Sequence, residues 1–117
     1  MKLEDYKRIY KNKGNKYNAK TTTYNGRNYH SRLEAGYAME LDWMLKAKII
    51  KEWIPQFKLD LRINDYHIAN YYVDFKVILP DKKVEYHEAK GYETEVWKMK
   101  WKMAMAIYGK EKFVLIK

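Results

Sequence analysis

Glu88, Ala89 and Lys90 form a Glu-x-Lys triplet in a stretch with strand character, and alternating side chains put Glu88 and Lys90 on the same side of that strand. A carboxylate and an ammonium are thereby delivered to one spot. Asp74 lies on the preceding strand, on a face with Tyr72 and Lys76, while Val73, Phe75, Val77 and Leu79 take the other face. If Pro80-Asp81-Lys82 is a three-residue hairpin loop, Leu79 faces Lys83 and Asp74 stands opposite Glu88. A two-residue loop would set Asp74 against Ala89 and send Glu88 to the other side; we adopt the three-residue loop. Like charges directly opposed across a ladder are destabilising, so two such acids call for a cation. Lys90 supplies one positive charge. Converging hard oxygen ligands also suit Mg²⁺, which is commonly held by one or two carboxylates plus water and phosphate.

Each signal also has a structural explanation. Glu-x-Lys is a common cross-strand ion pair, and an acid such as Asp74 is commonly solvated. Glu34 lies three residues after Ser31, and Ser31-Arg32-Leu33-Glu34 fits a capping box. On the helical wheel, however, Glu34 falls between Leu41 and Leu45, at the edge of the apolar stripe, and should lean toward the sheet. Gln56, at the start of a strand, is a candidate contact to substrate or to a metal-bound water, or serves the strand end alone.

The elements that would carry these residues are legible from periodicity. Leu33, Tyr37, Leu41, Met44 and Leu45 recur at helical spacing from Ser31, the natural N-cap, to about Lys48. Pro55 closes the next short stretch. Phe57, Leu59, Leu61 and Ile63 then alternate with Lys58, Asp60 and Arg62 as a half-buried strand does, and Asn64-Asp65 turns the chain. Residues 68–79 and 83–90 read as two further strands, and Gly91 ends the last of them. Thr94 caps a second helix to about Tyr108, with Trp97, Trp101, Ala104, Met105 and Tyr108 on one stripe and Gly109 as its stop. Residues 113–116 make a final apolar strand. The expected class is mixed α/β (α+β): helix, a three-stranded antiparallel meander, helix and a crossover strand in the same sheet, with a helix on each face. Trp97 and Trp101 read as core residues rather than as base-stacking platforms.

The chain has 117 residues, enough for one packed domain, with 47% hydrophobic and 16% aromatic residues to fill it. It has no cysteine, which removes disulfides and thiolate chemistry, and its three histidines show no zinc-ligand spacing. No apolar run reaches the roughly 20 residues of a membrane span, and no signal peptide is evident. The expectation is a soluble protein of the cytoplasm, not one of a membrane.

The net charge of +9 favours a polyanionic partner. Residues 1–30 carry eight basic side chains against two acidic ones, a surplus of six, interleaved with Tyr6, Tyr10, Tyr17, Tyr24 and Tyr29. Residues 11–28 lack an apolar period and read as a loop or mobile arm, with a short hairpin at Asn25-Gly26 as an option. The division drawn is a basic arm, residues 1–23, followed by one domain, residues 24–117. Lys13, Lys16, Lys20 and Arg27 on the arm, and Lys98 and Lys102 on one face of the second helix, are candidate phosphate contacts. A solvated arm and a solvated helix face are the alternatives.

The order Glu34 on a helix, Asp74 on the second strand and Glu88-x-Lys90 on the third resembles the PD-(D/E)xK nuclease superfamily, whose core is αβββαβ and restriction-endonuclease-like. More closely, it resembles a family of small phage-borne proteins, through Ser31, Glu34, Ala35, Pro55-Gln56, Val73-Asp74-Phe75, Glu88-Ala89-Lys90-Gly91 and Thr94. Val73 stands where the superfamily name has proline. The resemblance implies a Mg²⁺- or Mn²⁺-dependent DNA endonuclease in which Asp74 and Glu88 ligate metal and Glu34 binds or orients the metal or its water. Lys90 would position or activate the attacking water. It further implies phage recombination or junction processing, like Holliday-junction resolvases, and hence a homodimer. A nicking or restriction-like endonuclease, or a non-catalytic basic nucleic-acid-binding protein, are the alternatives.

Overall fold

The computed structural model describes residues 22–117, so Lys13, Lys16 and Lys20 of the expected arm lie outside the described residues. The chain forms two compact units that divide after Ile49. In the first, β1 (Thr22–Tyr24) and β2 (Arg27–Tyr29) pair antiparallel and precede α1 (Arg32–Lys46). The turn between the strands places Asn25 at φ 52° and Gly26 at φ 79°, the doubly left-handed geometry that favours Asn-Gly. This is the short hairpin that the sequence offers at Asn25-Gly26, while residues 11–21 of the expected loop lie outside the described residues. Tyr24 Oη donates to Asp42 Oδ2 at 2.6 Å and ties the hairpin to α1. The helix starts at Ser31, whose Oγ accepts from the Glu34 N–H at 3.0 Å, and it ends two residues short of the expected stop.

The second unit is a four-stranded sheet in the order β3 (Glu52–Ile63), β4 (Tyr66–Ile78), β5 (Val84–Ala89), β6 (Phe113–Ile116). The first three strands form an antiparallel meander, and β6 joins β5 in parallel after α2 (Glu95–Tyr108). This is the mixed α+β arrangement expected, with the crossover strand in the same sheet. Pro55 does not close a segment ahead of the first long strand; it lies within β3, which as the edge strand has a side where a missing N–H costs no ladder bond. At the β4–β5 connection Leu79 N donates to Lys83 O and Lys82 N to Leu79 O, each at 2.8 Å, with Lys82 at φ 74°. The loop is thus the three-residue one, and it fixes the β4–β5 register.

One face of the sheet is covered by α2. Leu59, Leu61, Tyr71, Val73 and Tyr86 pack with Trp97, Trp101 and Ala104 in a buried apolar cluster. Trp97 stacks on Trp101 at 5.3 Å between ring centroids, and Trp101 meets Phe113 edge-on at 5.3 Å. Both tryptophans belong to the core, as the helical stripe implies. No helix among the described residues is long and apolar enough to cross a membrane.

Strand alternation breaks along β4. Val73 pairs with Phe57, and Lys76, three residues on, pairs with Tyr86. Yet Phe57 stacks on Tyr86 at 6.2 Å, and Lys76 Nζ lies 4.3 Å from the Phe57 ring centroid. Val73 and Lys76 therefore project to the same side, and β4 changes face between them. Gln56, between the partners of Val73 and Phe75 on β3, adopts φ 49°, a left-handed conformation uncommon for a residue with a side chain. The sorting expected for these residues, with Val73 and Lys76 on opposite faces, does not hold.

Candidate active site

The break in β4 falls at Asp74. Regular β4–β5 pairing runs from Ile78↔Val84 to Phe75↔His87, and the next position in that register sets Asp74 against Glu88. There the side chains take over the ladder. Asp74 N donates to Glu88 Oε1 at 3.1 Å, and Ala89 N donates to Asp74 Oδ2 at 2.9 Å. Each acid thus accepts a backbone N–H from the opposite strand, which is why two carboxylates can sit side by side with Asp74 only 9% and Glu88 only 4% exposed.

Further donors fix both groups. Gln56 Nε2 donates to Asp74 Oδ1 at 3.3 Å, so the left-handed residue of β3 steadies the acid on β4. Tyr71 Oη donates to Glu88 Oε1 at 2.9 Å, and Trp97 Nε1 donates to Glu88 Oε2 at 3.2 Å. The Trp97 N–H also reaches Tyr71 Oη at 3.3 Å. Trp97 is itself placed by Thr94, whose Oγ1 accepts from the Trp97 backbone N–H at 3.1 Å and starts α2. Burial pushes the Glu88 carboxyl above its ordinary range, against the pull of Tyr71, the Asp74 N–H, Lys90 and Trp97. Burial and the Glu88 charge together raise the Tyr71 phenol, which keeps its proton as the donor.

Lys90 follows directly after β5, and its backbone N–H donates to Ile116 O at 2.9 Å, continuing the pairing with β6. Its Nζ lies 5.4 Å from the centroid of the Trp97 ring. Among the described residues no carboxylate comes within salt-bridge distance of that ammonium, Glu88 included. Glu88 and Lys90 are therefore not the cross-strand or same-strand ion pair that a Glu-x-Lys triplet commonly forms.

The second unit thus brings together Gln56, Asp74, Glu88 and Lys90. Glu34 belongs to the first unit, where it is 3% exposed and its Oε1 accepts from the His30 N–H at 2.8 Å. Together with the bond from the Glu34 N–H to Ser31, this is capping-box chemistry displaced by one residue at the amino end. Lys98 pairs with Glu95 at 3.6 Å, Lys102 is exposed, and Arg27 lies 6.0 Å from the Tyr29 ring in β2.

Two further groups of this site carry no functional signal in the sequence. Trp97 is legible as a core residue and Tyr71 lies in a legible strand, but a buried phenol or indole also needs a partner for its polar tip, and Glu88 is that partner. Glu93, just before the α2 cap, pairs with Lys117 at 2.9 Å, and Lys117, Lys98 and Lys90 hold its carboxyl below the ordinary range.

Two buried carboxylates with oriented oxygens and a cation alongside fit the donor chemistry of a hard divalent ion. Outer hydrogen bonds of this kind aim carboxylates at a metal. Among the described residues there is no group of three or more His, Asp or Glu side chains placed to hold one, so a site here would be of the two-carboxylate kind that Mg²⁺ accepts. No curated protein and no solved structure matches the chain. Residues 14–117 match the family described as "Protein of unknown function (DUF1064)", and the chain belongs to that family.

Proposed function

We propose that this protein is a divalent-metal-dependent DNA endonuclease of the PD-(D/E)xK kind, cutting phosphodiester bonds at Asp74, Glu88 and Lys90. The observation that carries the reading is that Lys90 does not close onto Glu88: its ammonium lies over the Trp97 ring, and no carboxylate among the described residues comes within 4.0 Å of it. A structural ion pair would close; a site that receives a phosphate keeps its cation open. The sequence order shared with that superfamily and the net charge of +9 support the same reading.

Asp74 and Glu88 would hold Mg²⁺ or Mn²⁺. When bound, the ion supplies a Lewis acid that makes water more acidic and offsets charge developing on the phosphate. Lys90, as an ammonium, donates hydrogen bonds to a phosphate oxygen and to the attacking water, and adds a second positive centre. Gln56 keeps Asp74 in orientation, a positioning role in place of a direct substrate contact. Glu34 enters through the motif order alone, as a residue that orients metal or water. Phage recombination or junction processing by a cytoplasmic homodimer is the setting this proposal carries, with nicking or restriction-like cutting as its near variants.

A second reading has one observation in its favour. Glu88 accepts three hydrogen bonds from buried donors, as a carboxylate serving only the fold would, and the protein would then be a non-catalytic binder of nucleic acid. Labelled duplex, nicked, flapped and four-way DNA, incubated with Mg²⁺, Ca²⁺ or EDTA, separates the two. The endonuclease cuts at least one substrate with Mg²⁺, little with Ca²⁺ and none in EDTA. Folded protein that binds these DNAs and cuts none of them at several pH values would be the binder.

A further inference from the structure

Glu88 on β5 and Lys90 directly after that strand are two residues apart and carry opposite charges. Trp97 stands at both: the N–H on the edge of its indole donates to Glu88 Oε2 at 3.2 Å, and its face lies 5.4 Å from Lys90 Nζ. An indole edge is the positive part of the ring and its face the negative part. One side chain therefore meets an anion and a cation in two directions. The indole is not free to shift, since Trp97 is 8% exposed, stacked on Trp101 and fixed to the Thr94 cap through its backbone N–H.

We infer that Trp97 is a positioning residue that acts as a spacer, keeping Lys90 from closing onto Glu88, so that a divalent cation does not compete with the ammonium for the carboxylate and the ammonium is left to a phosphate. The inference rests on the endonuclease reading for its purpose, though not for its geometry. Without the indole, Lys90 competes with the metal for Glu88, and occupancy of the site falls for a reason that removing Lys90 reverses. A tryptophan that merely fills the core has no such dependence on Lys90.

The test is a double-mutant cycle read by Mn²⁺ binding, using calorimetry or electron paramagnetic resonance on the full chain, with crystal structures of the metal-free variants. Trp97→Leu removes both edge and face; Trp97→Phe keeps a ring face, drops the N–H and serves if the leucine variant does not fold. Either is expected to bind Mn²⁺ about tenfold more weakly than wild type, the scale of one charge-assisted hydrogen bond. Adding Lys90→Gln to the Trp97 variant should restore most of that affinity, while Lys90→Gln alone shifts binding by less than about threefold. In the metal-free Trp97 variant Lys90 Nζ should reach salt-bridge distance of Glu88. Unaltered Mn²⁺ binding in the variants, or weakened binding that Lys90→Gln does not restore, overturns the inference. Wild-type protein that binds no Mn²⁺ overturns the endonuclease reading instead, and the crystal structures then decide the spacer alone: Lys90 left where it was refutes it.

Discussion

The backbone N–H of Asp74 donates to the side chain of Glu88, at 3.1 Å to Oε1, so the strand that carries one acid holds the other acid in place. The reciprocal bond, Ala89 N to Asp74 Oδ2 at 2.9 Å, completes an exchange in which two carboxylates occupy the ladder positions of two carbonyls. The sheet gives up regular pairing at this point and gains a fixed pair of acids. The regular register from Phe75↔His87 onward, set by the three-residue loop at residues 80–82, determines which two acids meet.

Tyr71→Phe tests how firmly Glu88 is held. The variant removes the 2.9 Å phenol bond to a buried carboxylate while keeping the ring in the core. Hydrogen bonds to charged groups contribute about 1.5–3 kcal/mol, so chemical denaturation should show a destabilisation of that size with an unchanged slope. A change under about 0.5 kcal/mol would mean that the phenol does not anchor Glu88.

Lys90→Met keeps the apolar stem and removes the charge. Because Lys90 has no ion pair among the described residues and rests on an aromatic ring, its removal should cost no more than about 0.5–1 kcal/mol of stability. Cutting at saturating Mg²⁺ should fall by about 10²–10³-fold, the usual effect of deleting one group that stabilises transition-state charge. A variant that is markedly unstable, or that cuts as wild type does, contradicts the role given to Lys90.

The elements of this fold are readable because their signals are local. Ser31 and Thr94 announce two helices, alternation announces the strands, and Pro80-Asp81-Lys82 sets the register that puts Asp74 against Glu88. Tyr71 is not readable as a partner of Glu88. Uniform alternation would place Tyr71 and Asp74 on opposite faces of β4, and only the face change at Asp74 brings the phenol to the acid on β5. That change accompanies a left-handed residue at Gln56, a conformation that nothing about a glutamine leads one to expect. The pairing of Pro55 within β3 is hidden likewise, because proline in a strand is tolerated only at an edge, and edge position is a property of the assembled sheet.

The basic surplus of six in residues 1–30 predicts how affinity depends on salt. Removing residues 1–20 should weaken binding to duplex DNA and flatten the plot of log K against log salt by about 0.9 for each phosphate that the shortened protein no longer neutralises. Binding measured by fluorescence anisotropy across a salt series gives that slope. An identical slope in the shortened protein would mean that this segment touches no phosphate.

At the far end of the β3–β4 hairpin, Asp60 accepts from Arg62 Nε at 2.9 Å and meets His67 Nδ1 at 2.6 Å. The Arg62 bond, with that of His67, holds its carboxyl below the ordinary value of 3.8. A depressed carboxyl contributes stability above its unfolded pKa, and that contribution disappears as pH falls through the folded value. Asp60→Asn should therefore melt slightly below wild type at neutral pH and converge with it in acid below the ordinary aspartate range. Melting curves of the two proteins across pH check this; a gap that widens in acid would reverse the sign.

Whether the Asp74–Glu88 pair is a metal site is measured most directly by melting Asp74→Asn beside wild type, in EDTA and across a Mg²⁺ series. The substitution relieves a like charge next to Glu88 and keeps the shape of the side chain; its amide can take up the Ala89 bond through oxygen while Gln56 turns to accept from nitrogen. The variant should melt at or above wild type in EDTA, gain less from Mg²⁺ through ligand-linked stabilisation, and fail to cut DNA. A variant that melts lower than wild type in EDTA and shows the full wild-type rise with Mg²⁺ would contradict the metal site.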